Sequence, residues 1–215
     1  MTRLHKPLVV SSLILALLAF TTGSGARAQA PSGGTPVPAV PDPVPVTLDA
    51  ATTAFLAFDF NTGVCANISA CVDSLPAVVA GISAARAAGA LIVYSTAGSS
   101  TVLPDVLMQP DDPLVASGAD KFYNTNLDDI LKQHGISTVV IAGTVTNGAV
   151  LFSAFEATTR GYTVVVVEDG VSARTDLATV GTEWQLLNGP GGNTQNTPLR
   201  PKAVTLSRTD LITYR

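Results

Sequence analysis

Between residues 53 and 207 the chain alternates short runs that are apolar throughout with longer stretches in which apolar positions return at helical spacing. The strand-like runs are "TAFLAFD" (53–59), "ALIVYST" (90–96), "STVVIAG" (137–143), "YTVVVVED" (162–169) and "KAVTLS" (202–207). The helix-like stretches are "LPAVVAGISAARAAG" (75–89), "NLDDILKQHG" (126–135), "NGAVLFSAFEATTRG" (147–161) and one around 174–187. Strands without a polar face must be covered on both sides, and strands alternating with helices are joined by crossovers. The expected fold is therefore α/β: a three-layer α/β/α sandwich around a mainly parallel sheet of about six strands. Residues 97–120, "AGSSTVLPDVLMQPDDPLVASGAD", read as one long loop of the kind that often shapes a binding site.

The fold is expected over residues 49–215. Residues 1–30 have a charged start (Arg3, Lys6), an apolar run and an A-x-A exit at Ala28 and Ala30, which describes a secretory signal peptide; an uncleaved anchor is the rival reading. Nothing later reads as long and apolar enough to span a bilayer. Residues 31–48 hold six prolines and read as an extended tether. The expected location is secreted or periplasmic, with no membrane contact once the signal is removed.

Removing that segment takes three of the 12 basic residues and no acid, so the remaining chain carries 9 − 16 = −7. With no basic run, nucleic acid is a poor partner. Cys65 and Cys71 stand close together, and in an oxidising compartment they read as a disulfide; a free, nucleophilic Cys65 is the alternative. His134, beside the Gly that ends a helix, is the one histidine outside the signal segment. It suits the carboxyl end of a helix dipole, a placement that argues against a Ser-His-Asp triad, and one His is too few for a multi-histidine zinc site.

In an open parallel sheet, ligands collect at the carboxyl ends of the strands. The residues there are Asp59, Ser95 and Thr96, Gly143 and Thr144, and Glu168 and Asp169. Three stretches with such ends, "AFLAFDFNTGVC", "SGADKFYNTNLDDIL" and "STVVIAGTVTNGAVLFSAFEATTRGYTVVVVEDG", resemble the isochorismatase-like superfamily, which includes nicotinamidases and other cysteine hydrolases. The resemblance spans about residues 51–173 and implies a Rossmann-like sheet carrying an Asp–Lys–Cys triad.

On this resemblance Asp59 takes the place of the aspartate and Lys121 that of the lysine, while Ala149 stands where the nucleophilic cysteine belongs. A methyl group cannot attack a carbonyl, so a thioester route is closed. Substrate contacts are expected from Asn61, Phe122, Thr144, Val145, Thr146, Asn147 and Gly148, although Asn61–Thr62 replaces the family's usual Gln–Asn, and the resemblance implies a cis peptide at the Val145–Thr146 bond. Isochorismatases of the family lack the thiol too and cleave a vinyl ether with the aspartate as acid. Zinc-binding relatives use histidines in the loop after the second strand, and residues 97–120 contain none. Neither a metal nor another cofactor is expected.

Each residue also has a plainer role. Asp59 could be a turn cap, Lys121 a solvated lysine, and Phe122 core packing; Thr144, Thr146 and Asn147 suit caps of the following helix. The sequence thus supports a hydrolase acting on a small molecule with water, using Asp59 and Lys121, beside the alternative of an inactive small-molecule-binding pseudoenzyme. Relatives are commonly oligomeric, which leaves a homo-oligomer open. The stretch "EWQLLNGPGGNTQNTPLRP" (183–201) aligns with nothing in the resemblance and reads as a lid, a subunit contact or an ordered loop.

Overall fold

The apolar runs become the strands of one parallel sheet, and their carboxyl ends share a rim. A computed structural model describes residues 39–215. The expected signal peptide and the tether up to residue 38 lie outside the described residues. The chain forms β1 (Val46–Leu48), β2 (Thr53–Phe58), α1 (Ser69–Ala87), β3 (Leu91–Ala97), β4 (Leu114–Ser117), α2 (Leu127–Gln133) and β5 (Thr138–Thr144). It continues through a π-helical turn (Thr146–Val150) into α3 (Leu151–Arg160), then β6 (Thr163–Ser172), α4 (Asp176–Asn188), β7 (Val204–Ser207) and β8 (Ile212–Tyr214). Six strands lie in the order β4-β3-β2-β5-β6-β7, every neighbouring pair parallel.

Alternation along each strand divides the apolar residues between two cores. Ala54, Leu56 and Phe58 of β2 join Leu127 and Leu131 of α2, Ala154 and Ala157 of α3, and Leu186 and Leu187 of α4. Phe55 and Ala57 join Val78, Ile82 and Ala85 of α1 and Val46 and Leu48 of β1. The three layers are as expected.

Four local readings are corrected. The segment read as a tether enters the fold before residue 49: the Val44 N–H donates to the Leu206 carbonyl at 3.0 Å, and β1 pairs in parallel with β8. The 97–120 segment contains β4, a short edge strand beside β3, hidden by its Pro-rich approach. Helix α1 begins at Ser69 rather than Leu75 and runs through Pro76, a residue that normally marks a first turn. It is also long and apolar enough to cross a membrane, with a mean hydropathy of 1.3, yet Val78, Ile82 and Ala85 pack on the sheet.

The 189–203 stretch is an ordered loop that covers the outer edge of β7. Asn196 Nδ2 donates to the Leu206 carbonyl at 2.9 Å and its Oδ1 accepts the Leu206 N–H at 2.8 Å, while Asn193 Nδ2 donates to the Val204 carbonyl at 3.0 Å. Side-chain amides thus stand in for a neighbouring strand and blunt an edge that would otherwise be open to pairing.

At the rim, β5 comes so close to β2 that residue 143 must be glycine. A Cβ there would lie 2.6 Å from Phe58 Cβ and 2.9 Å from its carbonyl oxygen. Gly143→Ala is therefore expected to lower the unfolding free energy by about 1–3 kcal/mol, read as a reduced midpoint in urea at unchanged slope.

Helix α4 buries an acid, Glu183, which is 4% exposed and whose Oε1 has no hydrogen-bond partner among the described residues. Burial, helped by the nearby Glu168, pushes its carboxyl up to about 7 from an ordinary 4.5. The folded state then holds a proton that the unfolded chain releases, so this group's contribution is complete below pH 4.5 and fades as pH rises through 7. Urea titrations at pH 5 and pH 8 should show Glu183→Gln gaining on the parent protein by up to about 3 kcal/mol across that interval.

Candidate active site

Strand β2 ends where Asp59 turns into the left-handed region, at φ 58°. An aspartate tolerates that conformation better than most residues. Two bonds hold the turn: the Asp59 N–H donates to the Ser95 carbonyl at 3.1 Å, and the Asp59 carbonyl accepts the Asn61 N–H at 2.8 Å. The carboxylate then faces Lys121, with Nζ 2.6 Å from Oδ2. Ser95 Oγ lies 3.5 Å from Oδ1, at the limit of a hydrogen bond. Asp59 is 5% exposed and Lys121 is fully buried.

Lys121 belongs to the irregular segment between β4 and α2, and hydrogen bonds hold it there. Its Nζ also donates to the Gly118 carbonyl at 2.8 Å. Its own carbonyl accepts from Thr125 Oγ1 at 2.6 Å, and its N–H donates to Ser153 Oγ at 3.0 Å. Burial pushes the Asp59 carboxyl above the usual range, and the Lys121 ammonium pulls against that shift without reversing it. Burial likewise depresses Lys121, against the pull of Asp59. Each group is driven toward its neutral form across a contact of 2.6 Å.

The turn after β5 sits beside this pair. Phe58 and Gly143 are strand partners, so Asp59 and Thr144 leave adjacent strands at the same level. Ala149 is 3% exposed and belongs to the core cluster of Phe58 and Phe122, so its methyl is packed. The cis peptide is Thr144–Val145, one bond earlier than expected. The expected helix caps are also absent. Val145 occupies the cap position, Thr144 Oγ1 donates to the Ser172 carbonyl at 3.2 Å, and the buried Thr146 Oγ1 has no partner among the described residues. A π-helical winding, rather than a capped α-turn, starts the helix.

The remaining candidates divide between rim and core. Phe122 packs inside, with the Arg160 guanidinium 5.3 Å over its ring and the Tyr162 ring 6.1 Å away, which gives it a structural place. Asn61 Oδ1 accepts the N–H groups of Gly63 and Val64, both at 2.9 Å, while its buried Nδ2 has no partner among the described residues. Asn147 is exposed, and Gly148 and Val145 are half-buried. Cys65 and Cys71 form a disulfide with Cα atoms 5.3 Å apart, so Cys65 is no free nucleophile. A cavity of about 580 Å³ lies alongside, lined by Thr101, Val102, Leu103, Met108 and neighbours, without Asp59, Lys121 or Ala149.

Sequence reasoning missed Ser153 and Gly118. The usable signal was there for Ser153: it lies four residues beyond Ala149, a spacing that places both on one side of a helix.

A fold of this topology has clear relatives. The family model for the isochorismatase domain matches residues 53–196, and the chain belongs to that family. Similar solved structures include an isochorismatase family protein from Burkholderia thailandensis, at 22% identity and a TM-score of 0.63, covering 81% of this chain and 97% of the other. N-carbamoylsarcosine amidase from Thermoplasma acidophilum is 22% identical with a TM-score of 0.61, covering 74% and 97%. The nicotinamidase from Staphylococcus aureus is 20% identical with a TM-score of 0.59, covering 66% and 97%. No curated protein matches by sequence.

Because the pair is buried, removing one member strands the other. Asp59→Asn and Lys121→Met should each cost about 3 kcal/mol in chemical denaturation, and the double variant clearly less than their sum. Additive losses would contradict a direct contact.

Proposed function

We propose that the protein is an exported small-molecule hydrolase that uses water where thiol-dependent relatives use cysteine. The observation that carries this reading is the Asp59–Lys121 contact at 2.6 Å, kept in a buried rim beside Ala149. Burial outweighs the ammonium in setting the Asp59 carboxyl, so the group holds its proton to higher pH than a solvated aspartate. That is what a general acid requires. Asp59 gives this proton to the substrate, a water oxygen bonds to the carbon so activated, and the bond to the leaving group breaks. The water's surplus proton returns to the carboxylate, while Lys121 Nζ, hydrogen-bonded to it, steadies the charge in between. Acid-labile ethers and enol ethers fit this sequence better than amides, which call for a strong nucleophile. Export draws support from the N-terminal charge and apolar pattern, and from a disulfide that suits an oxidising compartment.

One observation favours a second reading, a binding protein without turnover. Lys121 is fully buried, Asp59 nearly so, and the adjoining 580 Å³ cavity includes neither. Incubation with isochorismate and a panel of enol ethers, esters and amides separates the two. The hydrolase reading expects product from the enol ethers, a rate reduced at least ~100-fold in Asp59→Asn, and a fall in rate as pH rises through the raised Asp59 pKa. Calorimetric binding of such a compound with no product would leave only the binding protein.

The turn itself can be probed with Ala149→Cys, because both native cysteines are tied in the disulfide. A thiol at a helix start near an ammonium should be alkylated by iodoacetamide at a lower pH than a free cysteine. An ordinary thiol titration would mean that the turn no longer favours an anion.

A further inference from the structure

We infer that Ser153 is a positioning residue: it fixes Lys121, and through it Asp59, against the turn that carries Ala149. The inference deepens the reading of Asp59 and Lys121 as the working pair and rests on that reading. Lys121 sits where the backbone has no strand or helix ladder of its own, between Ser117 and Leu127. Its contacts with the Gly118 carbonyl and the Thr125 hydroxyl come from three and four residues away, within the same segment. They shape the loop but cannot place it relative to the sheet. Asp59 meets the ammonium at the far end of a side chain with four rotatable carbons, so that contact fixes the ammonium and not the backbone beneath it, and the neighbouring Phe122 holds on to the rest of the fold through its ring.

The bond from the Lys121 N–H to Ser153 Oγ differs in kind. It joins residues 32 apart, it measures 3.0 Å, and Ser153 is fully buried. Ser153 is on α3, which continues from the π-helical turn, and it follows Ala149 by four residues. The element that presents the turn to the rim is therefore the one that holds the lysine backbone. A serine rather than an alanine suits that buried site because a Cβ alone would leave the Lys121 N–H without an acceptor. Sliding or rotation of α3 would carry the turn and the lysine together, keeping the ammonium in register with residue 149.

The test needs no substrate. The Asp59 carboxyl carbon is followed by NMR across pH in the parent protein, Ser153→Ala and Ser153→Thr, with Asp59→Asn used to assign the signal. Loss of the anchor should loosen the ammonium and raise the Asp59 midpoint by about one pH unit in Ser153→Ala. Ser153→Thr, which keeps a hydroxyl, should restore the parent midpoint. An unchanged midpoint in folded Ser153→Ala, or equal shifts in both variants, would overturn the inference. Should Ser153→Ala not fold, hydrogen exchange in the parent protein decides. The Lys121 amide should be protected as strongly as the amides of β5, and exchange at the rate of exposed loop amides would overturn the assignment. A protein that shows the titration response yet turns over nothing would sink the hydrolase reading and leave the role of Ser153 standing.

Discussion

A carboxylate and an ammonium 2.6 Å apart, both nearly sealed from water, set the terms for the rest of the rim. Taking either ion out of water costs several kcal/mol, and their attraction returns that only with good geometry and further hydrogen bonds. The Gly118 carbonyl supplies one on Nζ and Ser95 Oγ a long one on the carboxylate, while the Ser95 carbonyl, the Asn61 N–H, Ser153 and Thr125 hold the two backbones in place. Asp59 adopts a left-handed backbone to reach its partner. The close passage of Gly143 past Phe58 brings the turn of β5 to the same level.

The two sites of perturbed acidity differ in origin. At Asp59 burial acts against a cation and outweighs it. At Glu183 burial acts alongside another acid, with no cation among its causes. One environment suits proton transfer to a ligand. The other makes the packing of α4 on the sheet depend on pH. Geometry separates them, since only Asp59 stands at the end of a strand on the rim.

The sheet was legible because its strands have no polar face. "TVVVV" and "STVVIAG" can be little else in a chain this rich in valine and alanine, and their order in sequence implies crossovers. Short edge elements were not legible. "LVAS" after a proline and "VTL" among prolines carry too few residues to show a period, and only pairing with β3 and β8 makes them strands. Asp59 and Lys121 lie 62 residues apart, so no local spacing could link them; the family resemblance did. Phe122 was misplaced for a related reason. A residue next to a site lysine looks like site lining, until a backbone turn aims its ring at Arg160 and Tyr162. The caps expected from Thr144 and Thr146 failed because the helix starts as a π-turn with valine at its cap, a winding that no residue type announces.

Ala149 shows how little the fold depends on the chemistry of this position. Its methyl is buried in the same core cluster as Phe58 and Phe122. The buried pair is the reverse case. Hydrophobic residues of similar size would serve stability as well or better at positions 59 and 121, because a buried ion pair often contributes little or negative net stability against such replacements. A chain in which only packing mattered would have no physical reason to hold these two ions together through bonds to four separate segments. On the proposed reading their arrangement is the cost of holding a polar centre ready for a ligand, and a methyl at residue 149 confines that centre to chemistry in which the protein moves a proton and forms no covalent bond through this position.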